Sequence, residues 1–232
     1  MNWMQVEKYL ESDTRCVLPV GSVEQHAQLS LCVDAILSER VSVEAAAPLQ
    51  VPVYPCMPFG LAPYFSAFPG SMSLRVETLL AVFRDLLASV HRSGFRRVLI
   101  VNGHGGNAPV AALAKALMAE MTDISIKYHP WWAGAKVTAA LHQIDPVGSH
   151  ASWIENFPWT RLANAPAPNG EKAMVDYKEL DILNPHDAKA LLGDGNFGGA
   201  WQKPDDVMLA VWKTGVEETR AELEGPWPDY AV

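Results

Sequence analysis

Two short stretches of this 232-residue sequence concentrate side chains able to bind metal. Gly21-Ser22-Val23-Glu24-Gln25-His26, with Asp34 eight residues on, places two carboxylates and an imidazole just after a compact apolar run. Mixed oxygen and nitrogen donors of this kind suit zinc, manganese or iron. Any one of these residues alone reads more simply as part of a solvated loop, and it is the combination that points to a metal. The second stretch, Val101-Asn102-Gly103-His104-Gly105-Gly106-Asn107, sets a histidine among three glycines directly after another apolar run. Glycine tolerates positive φ and close backbone approach, which a plain connection rarely needs three times. The rival reading is a phosphate-cradling loop ahead of a helix N-terminus. It lacks the Lys and Ser/Thr of a P-loop and the spacing of a dinucleotide fingerprint. A third stretch, Gly148-Ser149-His150-Ala151-Ser152-Trp153-Ile154-Glu155-Asn156, holds a His and a Glu five apart, a weak signal by itself because such a pair can simply decorate a helix.

The elements that must position these residues follow from hydrophobic periodicity. Arg15 to Gly21 reads as a short buried strand ending in a turn, and the loop after it is expected to carry Glu24, His26 and Asp34. A helix is predicted from Ala35 to about Ala47 and a second strand over Val51 to Pro55. After a long loop rich in Pro, Gly and aromatics, Leu79, Val82, Phe83, Leu86, Leu87 and Val90 fall on one stripe of a helix from Val76 to Ser93, with Gly94 where a C-terminal cap belongs. Arg97 to Val101 is a continuous apolar strand, Asn102 to Asn107 a polar turn, Ala108 to Met121 an Ala-rich helix and Ile124 to Tyr128 a further strand. Beyond Tyr128 the pattern weakens, with helices predicted over Ala188 to Leu192 and Asp205 to Leu223. Alternating strands and helices predict an α/β fold, a three-layer α/β/α arrangement with a mainly parallel central sheet. The whole chain, 1–232, is short enough for one domain. In such sheets ligands lie beyond the carboxyl ends of the strands, where Glu24, His26 and His104 fall.

Composition narrows the partners. Nearly half of the residues are apolar, the formal net charge is -8, and no run of Lys or Arg offers a footprint for nucleic acid or an anionic membrane. A small-molecule substrate is expected instead. The apolar stretches are broken by Pro, Gly or charge well before the roughly 18 residues a membrane span needs. Met1-Asn2-Trp3-Met4 lacks the basic start and apolar stretch of a signal peptide, so a cytoplasmic location is expected. The three cysteines, Cys16, Cys32 and Cys56, lie in apolar surroundings without zinc-type spacing and are expected to be buried free thiols.

In this order, the three stretches resemble the creatininase (creatinine amidohydrolase) family. Its members carry a Glu-Gln-His motif followed by an aspartate, an Asn-Gly-His-Gly-Gly-Asn turn and a later His-Ala-Gly segment with a glutamate at corresponding spacing. Phe68-Pro69-Gly70-Ser71 is similar to the family's Phe-Pro-Gly-Thr stretch. The resemblance spans Val17 to about Asn156. It implies a creatininase-like fold and two divalent ions per chain held by Glu24, His26, Asp34, His104 and Glu155, with Asp34 bridging them and Glu155 completing the ligand set of the second ion. It further implies a proton-shuttling role for His150 and a ring-like homo-oligomer, a hexamer, to which an aromatic-rich C-terminal third could lend apolar surface. Some positions depart from the family pattern. The usual Gly-Pro-His-Leu-Pro after the first histidine is Ala27 to Leu31 here, and the aspartate arrives one residue early. A frequent Glu-His pair is Tyr64-Phe65, and the Gly of His-Ala-Gly is Ser152. A kept metal core with a changed substrate pocket is the expectation.

Two divalent ions sharing a carboxylate can activate water and polarise a carbonyl, so hydrolysis of a C–N amide bond, in a ring or not, is the expected reaction. His150 would pass a proton to the leaving nitrogen. Backbone N–H groups near Gly105 or Ser71 are candidates for binding the developing oxyanion. Among Trp131, Trp132, Trp153 and Trp159, which could wall a pocket, pack the core or form an interface, Trp153 is the substrate-contact candidate. His91, His129, His142 and His186 have no partner motif and read as structural or surface residues. Two other function classes compete: ring-opening hydrolysis of a C–C or ester bond on the same metal core, and a non-enzymatic metal-binding module.

Overall fold

Three parallel strands, β1 (Arg15–Val20), β2 (Arg97–Asn102) and β3 (Ser125–Pro130), form the central sheet in that order. The structure is a computed structural model describing residues 1–229. Period-two alternation sends the strand side chains into two separate cores. Cys16, Leu18 and Val20 of β1 join Val98 and Ile100 of β2 and Ile126 of β3 on one face. Val17, Leu99 and Val101 serve the other. The register, Val17 beside Leu99 and Leu18 beside Ile100, keeps each set together.

The first face is covered by α3 (Val76–Arg92) and α4 (Pro109–Glu120), through Leu79, Phe83, Leu87, Val90, Val110 and Leu117. The α3 stripe was legible in its spacing, and Gly94, at φ +106°, ends the helix as expected. The second face is covered by α2 (Val33–Ala46) and α8 (Asp205–Glu224), through Leu37, Val41, Met208, Trp212 and Val216. Helix α5 (Ala135–Ile144) lies against α8 and brings Leu141 to the same core. The three-layer α/β/α expectation holds.

Several local expectations change. The strand predicted over Val51 to Pro55 is reduced to isolated bridges, Val53 beside Val17 and Met57 beside Val20. Pro52 and Pro55 have no N–H to give a ladder, so Pro52 only accepts from Val17 N–H at 2.9 Å. Asp34 sits in the first turn of α2 and not in the preceding loop. Helix α1 (Trp3–Leu10) was not foreseen; Asn2 and Gln5 cap it reciprocally, each side chain accepting from the other's backbone N–H. Nor was α5. A small third core forms where Leu180 of α6 (Tyr177–Leu180) and Ala188 and Leu192 of α7 (Pro185–Leu192) pack on Ala62, Phe65 and Phe68. A two-residue antiparallel pair, β4 (Glu171–Lys172) with β5 (Gly199–Ala200), completes this region. All three cysteines are free; Cys16 is buried, while Cys32 and Cys56 are only half-buried. Among the described residues no helix is long and apolar enough to cross a membrane.

Candidate metal centre

The ends of β1 and β2 and the start of α2 converge because the backbone between them has almost no side chain. A Cβ at Gly103 would collide with the Asp34 carbonyl, and one at Gly106 with the Leu61 carbonyl. Two asparagines of the same turn then cross-brace it. Asn102 donates to His104 O at 2.6 Å and accepts from His104 N at 3.2 Å. Asn107 donates to Gly21 O at 3.0 Å and Asn102 Oδ1 at 3.1 Å, and accepts from Leu61 N at 3.0 Å. The glycine-rich turn therefore ties β1, β2 and the 61 loop into one frame.

Six titratable side chains meet inside that frame. Asp34 presents Oδ1 to His26 Nε2 at 3.1 Å and Oδ2 to His104 Nδ1 at 3.2 Å. Glu24 Oε1 lies 3.1 Å from His104 Nδ1, and Glu155 Oε2 lies 3.7 Å from His26 Nε2. Glu24, Asp34 and His104 form one group able to hold an ion, and His26, Asp34 and Glu155 form another, with donor atoms within 4.8 Å of one another in each. Asp34 is common to both. The histidines have their remote nitrogens tied back: His26 Nδ1 donates to Glu24 O at 3.1 Å and His104 Nε2 to Leu61 O at 2.9 Å. That choice of tautomer leaves His26 Nε2 and His104 Nδ1 with lone pairs toward the carboxylates, the arrangement metal-ligating histidines adopt. His26 Nε2 and Asp34 Oδ2 are buried and have no hydrogen-bond partner. Buried polar atoms are seldom left so without a ligand, and this donor set fits divalent ions.

Without ions, protons must balance the crowded carboxylates. Burial pushes Glu155 up to about 7, Asp34 and Glu24 adding to the shift and His26 opposing it. Burial and the neighbouring Asp34 also raise Glu24. For His26, burial works downward, but Asp34, Glu155 and Glu24 outweigh it and raise the imidazole to about 10. Such a cluster binds cations as protons and would exchange them for metal.

His150 differs from the other two histidines. Its Nε2 lies 3.0 Å from Gln25 O and 2.8 Å from Gln25 Nε2, and its Nδ1 lies 3.7 Å from Glu24 Oε1. The ring stacks on Phe65 at 4.7 Å and meets His26 at 4.5 Å. Burial, and then the charge of His26, holds its pKa well below the usual histidine value. It is thus a neutral base at the edge of the cluster, though Glu24, His26 and His150 also form a third group close enough to share an ion. Ala27 (φ 51°) and Ala151 (φ 59°), each following a site histidine, take the left-handed backbone that glycine would prefer. The strain aims functional groups: Ala151 N–H donates to Glu155 Oε2 at 2.6 Å.

The cluster floors a cavity of about 560 Å³, within the range of small-molecule sites. Gly105 lines it, as expected. Ser71 does not: its hydroxyl accepts from Gln25 N at 3.0 Å and braces the first loop. Trp153 does not either. It is fully buried in the core, its indole N–H donating to Val147 O at 2.8 Å, and the cavity is lined instead by Trp132 and Ile154. Trp131, Trp159 and Trp212 likewise pack on one another and on Phe157, so these rings supply core and not a free apolar surface. His91 pairs with Asp123 and His129 with Thr219, away from the site. The sequence reading missed Gln25, although it lies inside the first motif, and the cavity residues Tyr64, Tyr177, Asp181 and Phe197, which no local pattern marks.

Comparison with known proteins identifies the family and the fold. A family model for creatininase, described as creatinine amidohydrolase, matches residues 1–228. A creatinine amidohydrolase of Pseudomonas putida is 27% identical over 161 residues, covering 64% of this chain and 62% of that protein. A mycofactocin precursor peptide peptidase of Mycolicibacterium smegmatis is 35% identical over 146 residues, covering 56% of this chain and 58% of that protein. The matches thus span about three fifths of each relative's length. A solved structure of a mutant creatininase of Zn-Zn type superposes with a TM-score of 0.81 at 20% identity, covering 97% of this chain and 95% of that one, which establishes the fold. The chain belongs to the creatininase family.

Proposed function

We propose that this protein is a metal-dependent amidohydrolase that cleaves a C–N amide bond of a small molecule, residues 1–232 acting as one hydrolase domain. The observation that carries the reading is Asp34, whose two carboxylate oxygens face two different histidines at 3.1 and 3.2 Å. Glu24, Asp34 and His104 would hold one divalent ion, and His26, Asp34 and Glu155 the other; zinc and manganese suit the donors, and similar creatininase structures are described as Zn-Zn and Mn forms. When bound, such a pair supplies an ionised water at neutral pH and polarises a carbonyl. The chain's own part is to place the proton and the substrate. His150, neutral and oriented by Gln25 and the Phe65 stack, takes a proton through Nδ1 and returns it to the leaving nitrogen. Gly105, where a Cβ would meet nothing within 4 Å, leaves room for substrate against the floor of the cavity.

Cyclic and linear amides are both within reach of this reading, since one relative is named for creatinine and the other for a peptide. We also infer a cytoplasmic homo-oligomer, hexameric by likeness to the family, which light scattering at micromolar concentration tests directly. The decisive experiment is metal analysis of the purified protein together with hydrolysis of a panel of cyclic and linear amides. Two ions per chain with amide turnover are expected. Two ions with turnover only of lactones or diketones would replace the reaction, and a protein without bound metal would overturn the reading.

A further inference from the structure

Two sets of side chains line the cavity. One is Glu24, Asp34 and Glu155 with His104 and His150; the other is Tyr64, Tyr177, Phe197 and Asp181, which meets the first where the Phe197 ring lies 4.9 Å from that of His150. Among the described residues no lysine or arginine lines the cavity. The Asp181 carboxylate has no cationic partner among the described residues, and its backbone is held by Asp181 N donating to Tyr177 O at 2.9 Å. An aspartate in a cavity wall would be unremarked on its own. Here three aromatic rings line the same cavity. Phe197 stands 5.9 Å from Tyr177 and 6.4 Å from Tyr64, at interplanar angles of 63° and 60°. A ring face in such a group attracts a cation through its quadrupole. The Tyr64 hydroxyl is a second, independent sign of a ligand, because its oxygen is buried and has no hydrogen-bond partner. Burial raises the Tyr64 pKa to about 12, with Asp181 adding to the shift, so the two side chains are electrostatic neighbours.

We propose that Tyr64, Tyr177, Phe197 and Asp181 form a recognition site for an organic cation, so that the preferred substrate is a small amide bearing an ammonium or guanidinium group remote from the bond that is cut. This rests on the amidohydrolase reading for the chemistry at the cavity floor, but the cation site itself is a property of the second set. The rings provide cation–π attraction and Asp181 the neutralising charge. The scissile carbonyl then points to the floor while the cation stays among the rings, which fixes the orientation of an extended substrate.

The test is calorimetric titration of the metal-loaded protein with a matched pair, N-acetylputrescine and its neutral isostere N-pentylacetamide. The wild-type protein should bind the cationic member about 10-fold more tightly, and the preference should fall as salt is raised. Asp181→Asn and Tyr177→Leu should each reduce the preference by about 3- to 10-fold while leaving the neutral member's affinity and the metal content unchanged. Equal affinity for both members in the wild type, no measurable binding of the cationic one, or a preference that survives both substitutions would overturn the proposal. Selective binding that responds to Asp181→Asn, with no amide hydrolysed, would sink the amidohydrolase reading and uphold the cation site. Hydrolysis that is indifferent to Asp181 and to substrate charge would do the reverse.

Discussion

Replacing His150 with asparagine separates catalysis from metal binding, because the structure gives this ring two kinds of neighbour. On one side Nε2 meets Gln25 and the ring face meets Phe65; on the other, Nδ1 is 3.7 Å from Glu24 Oε1, farther than the 3.1 and 3.2 Å by which His104 Nδ1 approaches Glu24 and Asp34. A general acid–base group typically contributes about 10²- to 10⁴-fold in rate, equivalent to about 2.7 to 5.4 kcal/mol of barrier. The stability cost is smaller. Losing the stack on Phe65 is worth about 0.5–1.5 kcal/mol, which in a chain of this size lowers Tm by only a few degrees. The expected result for His150→Asn is therefore two ions per chain by plasma mass spectrometry, near-native circular dichroism, KM changed little and kcat down by two to four decades. His104→Ala should lose metal as well as turnover, since its Nδ1 stands between two carboxylates. An emptied metal site in His150→Asn would make His150 a ligand, and an unchanged kcat would remove it from the mechanism.

Other outcomes follow from the same geometry. Asp34→Ala removes the carboxylate common to both ligand groups, so metal content should fall from two ions to fewer than one; two ions retained would refute the bridge. In protein stripped with EDTA, Glu155 is raised from 4.5 to about 7 and His26 from 6.5 to about 10. Groups raised in this way lend stability that is full below their unfolded values and lost as pH climbs through the folded ones. The urea midpoint of the stripped protein should thus decline as pH rises from about 6.5 to about 10, the range in which His26 gives up its proton and His150, already neutral, no longer opposes the trend, and added metal should restore it most at alkaline pH. A midpoint rising with pH over that range in EDTA would contradict this. Ala27→Gly should stabilise by about 0.5–1 kcal/mol, because relief of a left-handed alanine, about 1–2 kcal/mol, exceeds the entropy gained by the unfolded chain; denaturant midpoints read this directly.

The sequence determined the parts of this protein that have a period or a packed local motif. α3 was legible because apolar positions three and four apart report the buried face of a helix, and β1 and β2 because a short continuous apolar run ending in a turn marks a strand covered on both faces. The meeting of Glu24, His26 and His104 was legible because strand ends in a parallel sheet point to one edge, whereas Asp34 and Glu155 joined them only through the family resemblance. Elsewhere local signals were too weak or pointed the wrong way. Val51 to Pro55 has the composition of a strand but too few N–H groups to pair as one, and Asp34 begins a helix that its neighbours Cys32 and Val33 do not announce. Trp153 and Ser71 stand beside motif residues, yet one turns into the core and the other braces Gln25, since side-chain direction in irregular backbone has no period to betray it. The aromatic side of the cavity was wholly a tertiary decision. Tyr64 and Phe197 are far apart in sequence and meet with Tyr177 and Asp181 only because α6 and α7 fold back over the 61–70 loop, burying Leu180, Ala188 and Leu192 against Phe65 and Phe68. Hydrophobic burial is non-directional, so the chain can state that these residues will be covered but not by what.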